Sequence, residues 1–168
     1  MNGRHYGMRT RWLADLSDGS TAALAEAGSA FTSPFSAIAV HHFHGAASRV
    51  PTHGTAFGLR RDHFLVEMLA AWEPNDGDDG SAHRQWSQEL FERLASYALP
   101  GGYPNLLGPA ERARALQSYG PNLPRLLELK RKFDPHDVFA SATPALGPSA
   151  VNGERGIRTL DTLSDMQV

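Results

Sequence analysis

Apolar and polar positions along the chain follow two patterns: a two-residue alternation that marks strands and a three-to-four-residue spacing that marks helices. Tyr6 to Leu13 alternates loosely, with Tyr6, Met8 and Trp12 supplying strand-compatible bulk, and is expected to be a strand. Ser17, Asp18 and Ser20 offer capping oxygens ahead of an alanine-rich run from Ala22 to Ala27, which predicts a short helix ended by Gly28. After Pro34, the run Ser36 to His44 alternates β-branched and aromatic side chains and stops at Gly45, a second strand. Phe64 to Trp72 is almost continuously apolar around one acid, Glu67. The turn signals on both sides favour a strand over a short buried helix.

The period then lengthens. Ser81 to Ala98 places Trp86, Leu90, Leu94 and Tyr97 at helical spacing and predicts one amphipathic helix, stopped by Pro100, Gly101 and Gly102. Tyr103 to Leu107 reads as a short extended piece. Pro109 opens a helix through Leu116, and Pro121 opens another through Lys132, closed by Asp134 and Pro135. Asn75 to Gly80 is acidic and glycine-containing, but His83, Arg84 and Trp86 follow where a calcium loop needs oxygen ligands, so a solvated turn is expected. Beyond Pro144 the periodicity is lost and a disordered tail is expected. Within that tail, Gly156 to Leu160 can be encoded by DNA whose opposite strand resembles the T-arm of a transfer-RNA gene, which suggests read-through into a neighbouring gene.

Composition narrows the function classes. The chain has 168 residues, 41% hydrophobic and 20% charged, with a formal net charge of −2, as expected for one soluble domain. Lys and Arg are scattered, so neither a nucleic-acid face nor a polybasic membrane segment is implied. There is no cysteine, which excludes disulfides, thiolate metal sites and a cysteine nucleophile. Met1 to Thr10 carries no apolar signal region and no apolar run is long enough to span a bilayer. The expectation is a soluble cytoplasmic protein.

Glu67 stands out as a candidate proton acceptor, because an isolated carboxylate in an apolar strand is held toward its neutral form by desolvation. The alternative is an ion pair with Arg60 or Arg61. His41, His42 and His44 look like a metal cluster, but only His42 and His44 share a face of a strand and two ligands rarely make a site, so no metal is expected.

The most specific stretch is Tyr119 to Phe139, Y-G-P-N-L-P-R-L-L-E-L-K-R-K-F-D-P-H-D-V-F. It resembles the C-terminal motif of the berberine-bridge-enzyme-like branch of FAD-linked oxidases, Y-G-x-N-x-x-R-L-x-x-x-K-x-x-[YF]-D-P-x-x-x-F. The resemblance extends upstream in the same order through His44 to Arg60, through the strand ending in Trp72, and through G-G-Y-P-N from Gly101. Two departures are His44, where the family has the first of two glycines, and Pro104, where it has an aliphatic residue.

The resemblance implies an α+β fold: an antiparallel sheet with helices packed on one face, part of the substrate domain of a two-domain FAD-linked oxidase. It divides the chain into residues 1–100, a partial substrate-binding domain; 101–144, a flavin-facing C-terminal segment; and 145–168, the tail. By the same likeness Glu67 is the catalytic acid–base group, Tyr103, Asn105, Tyr119 and Asn122 lie beside the flavin, and His41 faces a small-molecule substrate. Turn chemistry around Gly102, Pro104 and Pro121 is the alternative for the asparagines. FAD is the implied cofactor, although no glycine-rich phosphate loop is present and a chain beginning inside the substrate domain is not expected to retain it alone. Three functions remain open: an oxidoreductase portion inactive by itself, a subunit that associates with a separately encoded FAD domain, and a non-enzymatic α+β binding module. An uncovered interface would also favour self-association.

Overall fold

The computed structural model describes residues 3–74, 78–139 and 146. Residues 75–77, half of the acidic turn, and the tail apart from residue 146 lie outside them. The elements in order are β1 (His5–Leu13), α1 (Asp18–Ser29), β2 (Ala37–Phe43), β3 (His63–Trp72), α2 (Ser81–Arg93), α3 (Arg112–Gln117) and α4 (Leu123–Phe133), joined partly by single 3₁₀ turns. The three strands form one sheet in the order β1-β3-β2, with β3 central and antiparallel to both neighbours. Three of the four expected helices and all three strands fall within a few residues of the positions read from the sequence, and the α+β class holds.

The central position of β3 explains its apolar run, because neither face of that strand is free of packing. Residues of even number on β3 face α1 and α2. Val66 and Met68 are fully buried with Leu13, Ala23, Ala27, Leu90 and Leu94 in one cluster, and Ala70 and Trp72 join Trp86 in a second. Each large apolar side chain removed from water here contributes about 1.5–3 kcal/mol. The Trp86 indole N–H donates to the Ala27 carbonyl at 3.0 Å, which joins the two helices across the core.

The local differences from expectation have identifiable causes. α1 starts where Ser17 Oγ accepts from Ser20 N, but it runs past Gly28 to Ser29, since Gly28 meets no neighbouring atom that would require a turn there. The amphipathic helix ends at Arg93 and is followed by a 3₁₀ turn at Ala95–Tyr97. Leu94 is buried, while Tyr97 is carried toward solvent. Residues 104–106, expected as extended, form a 3₁₀ turn because Pro104 fixes φ and Leu106 N bonds the Tyr103 carbonyl at 2.9 Å. Pro109 likewise opens a 3₁₀ turn and Pro121 sits second in another, Gly120–Asn122, and the α-helices begin at Arg112 and Leu123.

The chain after α2 crosses to the opposite face of the sheet and is pinned there. Leu99 N donates to Trp12 O at 2.8 Å, and Arg114 Nη2 donates to Thr10 O at 2.7 Å. Buried Ser118 donates through Oγ to Gly102 O at 2.5 Å and accepts from Gly102 N at 3.2 Å. Gly58 is required by close approach, since a Cβ there would lie 2.3 Å from the Tyr119 carbonyl oxygen. At the end of α4, Lys130 Nζ bonds Asp134 at 2.5 Å and Asp137 at 2.7 Å, while Asp134 accepts from the amides of Val138 and Phe139. These residues therefore stop the helix, as their positions in the sequence suggested.

Candidate functional site

The face of the sheet that α1 and α2 leave uncovered carries odd-numbered residues of β2 and β3 and even-numbered residues of β1. Toward the start of β1 that face is open: Tyr6 is 71% and Met8 37% exposed. Toward its end the face descends into a cavity of about 500 Å³, roofed on one side by the returning chain. Trp12, Phe43, Phe57 and His63 make its aromatic wall, and His41, Leu65, Glu67 and Tyr103 complete the lining with Arg60 and His42.

Glu67 and His41 reach the cavity from adjacent strands. His41 pairs in register with Leu65 and Ala39 with Glu67, so the histidine lies diagonally from the acid, and His41 Nε2 approaches Glu67 Oε1 to 3.4 Å. The anticipated arginine partner is not used. Arg60 donates instead to Ala47 O at 3.2 Å and Thr55 Oγ1 at 2.5 Å and lies over the Phe57 ring, which fixes the cavity wall. Glu67 is partly accessible, with 23% of its side chain exposed, so it is a shielded carboxylate with a titratable neighbour rather than an isolated one.

Tyr103 enters from the 3₁₀ turn after Gly102. Its hydroxyl oxygen accepts from Asn105 Nδ2 at 3.1 Å, which leaves the O–H proton available for donation. Asn105 itself stays outside the cavity lining. Tyr119 is half-buried, also outside the lining, and burial raises its hydroxyl pKa.

Asn122, expected beside the flavin with turn chemistry as the alternative, is engaged by the 52–55 loop. It is buried, Nδ2 donates to Thr52 O at 2.7 Å and Thr55 O at 3.1 Å, and Oδ1 accepts from His53 Nδ1 at 2.7 Å. Both amide protons and the carbonyl are thereby committed to the 52–55 loop, so this side chain braces the loop that leads to Phe57. His42 and His44 stack at 4.3 Å, and His42 stacks on Phe64 at 4.4 Å, as an aromatic ladder. Among the described residues no three His, Cys, Asp or Glu side chains come close enough to hold a metal ion, and no helix is long and apolar enough to cross a membrane.

The aromatic wall escaped the sequence reading. Trp12 meets Phe57 and His63 edge-on at 5.6 and 5.3 Å, and Phe43 stacks on His63 at 4.6 Å. The available signal was two-residue spacing: Phe43 lies two residues from His41, and His63 and Leu65 step along the face of Glu67.

This α+β fold, with a cavity on the sheet face that α1 and α2 leave uncovered, matches the substrate-domain architecture that two-domain FAD-linked oxidoreductases show over part of their length. Residues 102–144 match the family described as "Berberine and berberine like". An uncharacterized FAD-linked oxidoreductase of Bacillus subtilis, YvdP, is 35% identical over 95 residues, which cover 56% of this chain and 21% of that protein. Among solved structures, Physcomitrella patens BBE-like 1 superposes with a TM-score of 0.68 at 21% identity, over 84% of this chain and 30% of that one. Berberine bridge enzyme from Eschscholzia californica gives 0.67 at 19%, over 86% and 34%. Within the class, this chain is thus homologous in sequence and structure to part of the berberine-bridge-enzyme-like family. It spans about a fifth of the length of the Bacillus relative.

Proposed function

We propose that the chain forms the substrate-facing wall of an FAD-dependent oxidoreductase site that oxidises a C–H donor such as an alcohol or amine. The observation that carries this reading is convergence: Glu67, His41 and Tyr103, from two strands and the returning segment, line one cavity on the sheet face that α1 and α2 leave uncovered. FAD, when bound, supplies a two-electron acceptor for hydride. The surface fits one side of a flat apolar ring, since Tyr6 and Met8 stand exposed beside a cavity with aromatic walls. The rest of the cofactor would be held by a further domain, within the same protein or as a separate one.

In this reading Glu67 takes the proton from the substrate hydroxyl or amine while its carbon is oxidised. His41 stabilises the resulting charge state and contacts substrate, and the Tyr103 hydroxyl, oriented by Asn105, donates to a substrate heteroatom. Tyr119 and Asn122 support the wall from behind, the first by packing and the second through the 52–55 loop. Residues 1–100 would supply the sheet, and 101–144 the segment that closes the cavity.

A chimera tests the assignment. This chain replaces the matching carboxyl-terminal region of the Bacillus relative, and flavin bleaching is followed without oxygen as alcohols and amines are added. Bleaching should occur with some donor, and Glu67→Gln should slow it by about 10²–10⁴-fold. Bleaching at an unchanged rate in Glu67→Gln removes Glu67 from the chemistry, and no bleaching with any donor counts against the whole assignment.

A further inference from the structure

His63 is the most enclosed polar side chain of the cavity wall, 2% exposed, and it belongs to none of the roles assigned above. Its Nδ1 lies 2.8 Å from the Arg61 carbonyl oxygen, which can only accept, so the proton is on Nδ1 and the neutral ring carries its lone pair on Nε2. Phe43 stacked at 4.6 Å and Trp12 edge-on at 5.3 Å hold the ring in place. Burial pushes the His63 pKa below the ordinary histidine value, which preserves the neutral form. Nε2 has no partner among the described residues. Nε2 is absent from the fully occluded, unbonded side-chain atoms, which are Arg4 Nε, Thr10 Oγ1, Arg60 Nε and Gln88 Oε1, so it keeps some accessible surface on a ring that lines the cavity.

We propose that His63 Nε2 is a specificity-determining acceptor, which selects ligands whose planar apolar ring carries a hydrogen-bond donor, O–H or N–H, directed at the aromatic end of the cavity. The walls explain the ring: Trp12, Phe43 and Phe57 offer apolar faces and edges, and Arg60, which donates to Ala47 O and Thr55 Oγ1, carries no acceptor that could take the ligand's O–H or N–H. The fixed tautomer explains the donor, because a ligand that brings only an acceptor leaves two lone pairs facing each other in a desolvated site. His63 lies four residues before Glu67 on β3, about 13 Å along the strand. The donor therefore sits at the far end of the substrate from the reacting carbon and acts in recognition, not in chemistry.

The proposal rests on reading the cavity as a substrate site, but its test uses no flavin, so the two readings fail separately. The ¹⁵N-labelled chain is titrated with phenol and with anisole, which differ by the donor hydrogen. Phenol should bind about three- to ten-fold more tightly and should move the His63 Nε2 resonance, while anisole leaves that nitrogen nearly unshifted. In His63→Phe, which keeps a ring between Phe43 and Trp12, anisole should bind as before and the preference for phenol should disappear. Equal affinities in the unsubstituted chain, a preference that survives in His63→Phe, or no binding of either ligand overturns the proposal. The Nε2 shift in the unsubstituted chain decides the matter if His63→Phe fails to fold. Flavin bleaching in the chimera is indifferent to all of these outcomes.

Discussion

Replacing Asn122 by alanine isolates what its side chain does for the cavity. Three bonds of good geometry are lost, to Thr52 O at 2.7 Å, Thr55 O at 3.1 Å and from His53 at 2.7 Å, while the longer approach to Ala56 O at 3.4 Å adds little because the amide has only two protons. Each such bond has a net worth of about 1 kcal/mol. Thr55 and His53 are exposed, so water can replace part of what they lose. The expected cost is therefore about 2 kcal/mol rather than the full sum of about 3 kcal/mol. Urea unfolding checks it: the midpoint should fall with an unchanged slope, as befits a loss of native contacts rather than a change in the unfolded chain. Amide exchange should quicken around residues 52–58 and leave β3 unaffected. A change below about 0.5 kcal/mol, the range of ordinary surface substitutions, would refute the bracing role and leave the amide free to face a ligand.

Two further outcomes follow from the packing and the ionisation of the wall. Gly80 has φ +70°, and a Cβ there would lie 2.2 Å from the Trp72 indole, so Gly80→Ala should cost about 3 kcal/mol from left-handed strain and overpacking; calorimetric melting measures this, and an unchanged Tm contradicts it. His63 resists protonation when folded, so its contribution to stability is complete above about pH 6.5 and is lost as the pH falls below that value, where the unfolded chain takes up the proton. The decline in unfolding free energy between neutral and mildly acidic pH should be shallower in His63→Phe, and superimposable curves exclude this origin.

The parts of the structure that were legible in the sequence are those set by local periodicity. β1 to β3 and the core-facing Leu90 and Leu94 follow from alternation and helical spacing, because burial on one side writes itself into every second or every third to fourth residue. The 3₁₀ turns at residues 104–106, 109–111 and 120–122 were missed because proline at the first or second position fits an extended piece, a 3₁₀ turn and an α-helix start alike. Glu67 could be singled out by residue type and Tyr103 through the family likeness, but their shared cavity is a tertiary fact that depends on bonds such as that of Arg114 to Thr10 O, which join residues 104 apart. His63 was invisible for the same reason: its role depends on Phe43, Trp12 and Phe57, each from a different part of the chain. For Asn122 the sequence left two roles open, because an amide that suits a ligand carbonyl suits a backbone carbonyl equally well.

Covalent footprinting tests most directly whether the uncovered sheet face is the functional one. Side-chain labelling of the chain alone is compared with labelling of the same residues in the chimera that holds FAD. Tyr6 and Met8, 71% and 37% exposed in the chain, should become protected in the chimera, while Leu16 and Phe31, at 41% and 42% outside that face, should label as before. Tyr6 and Met8 still reactive, with protection at Leu16 and Phe31 instead, would contradict the assignment.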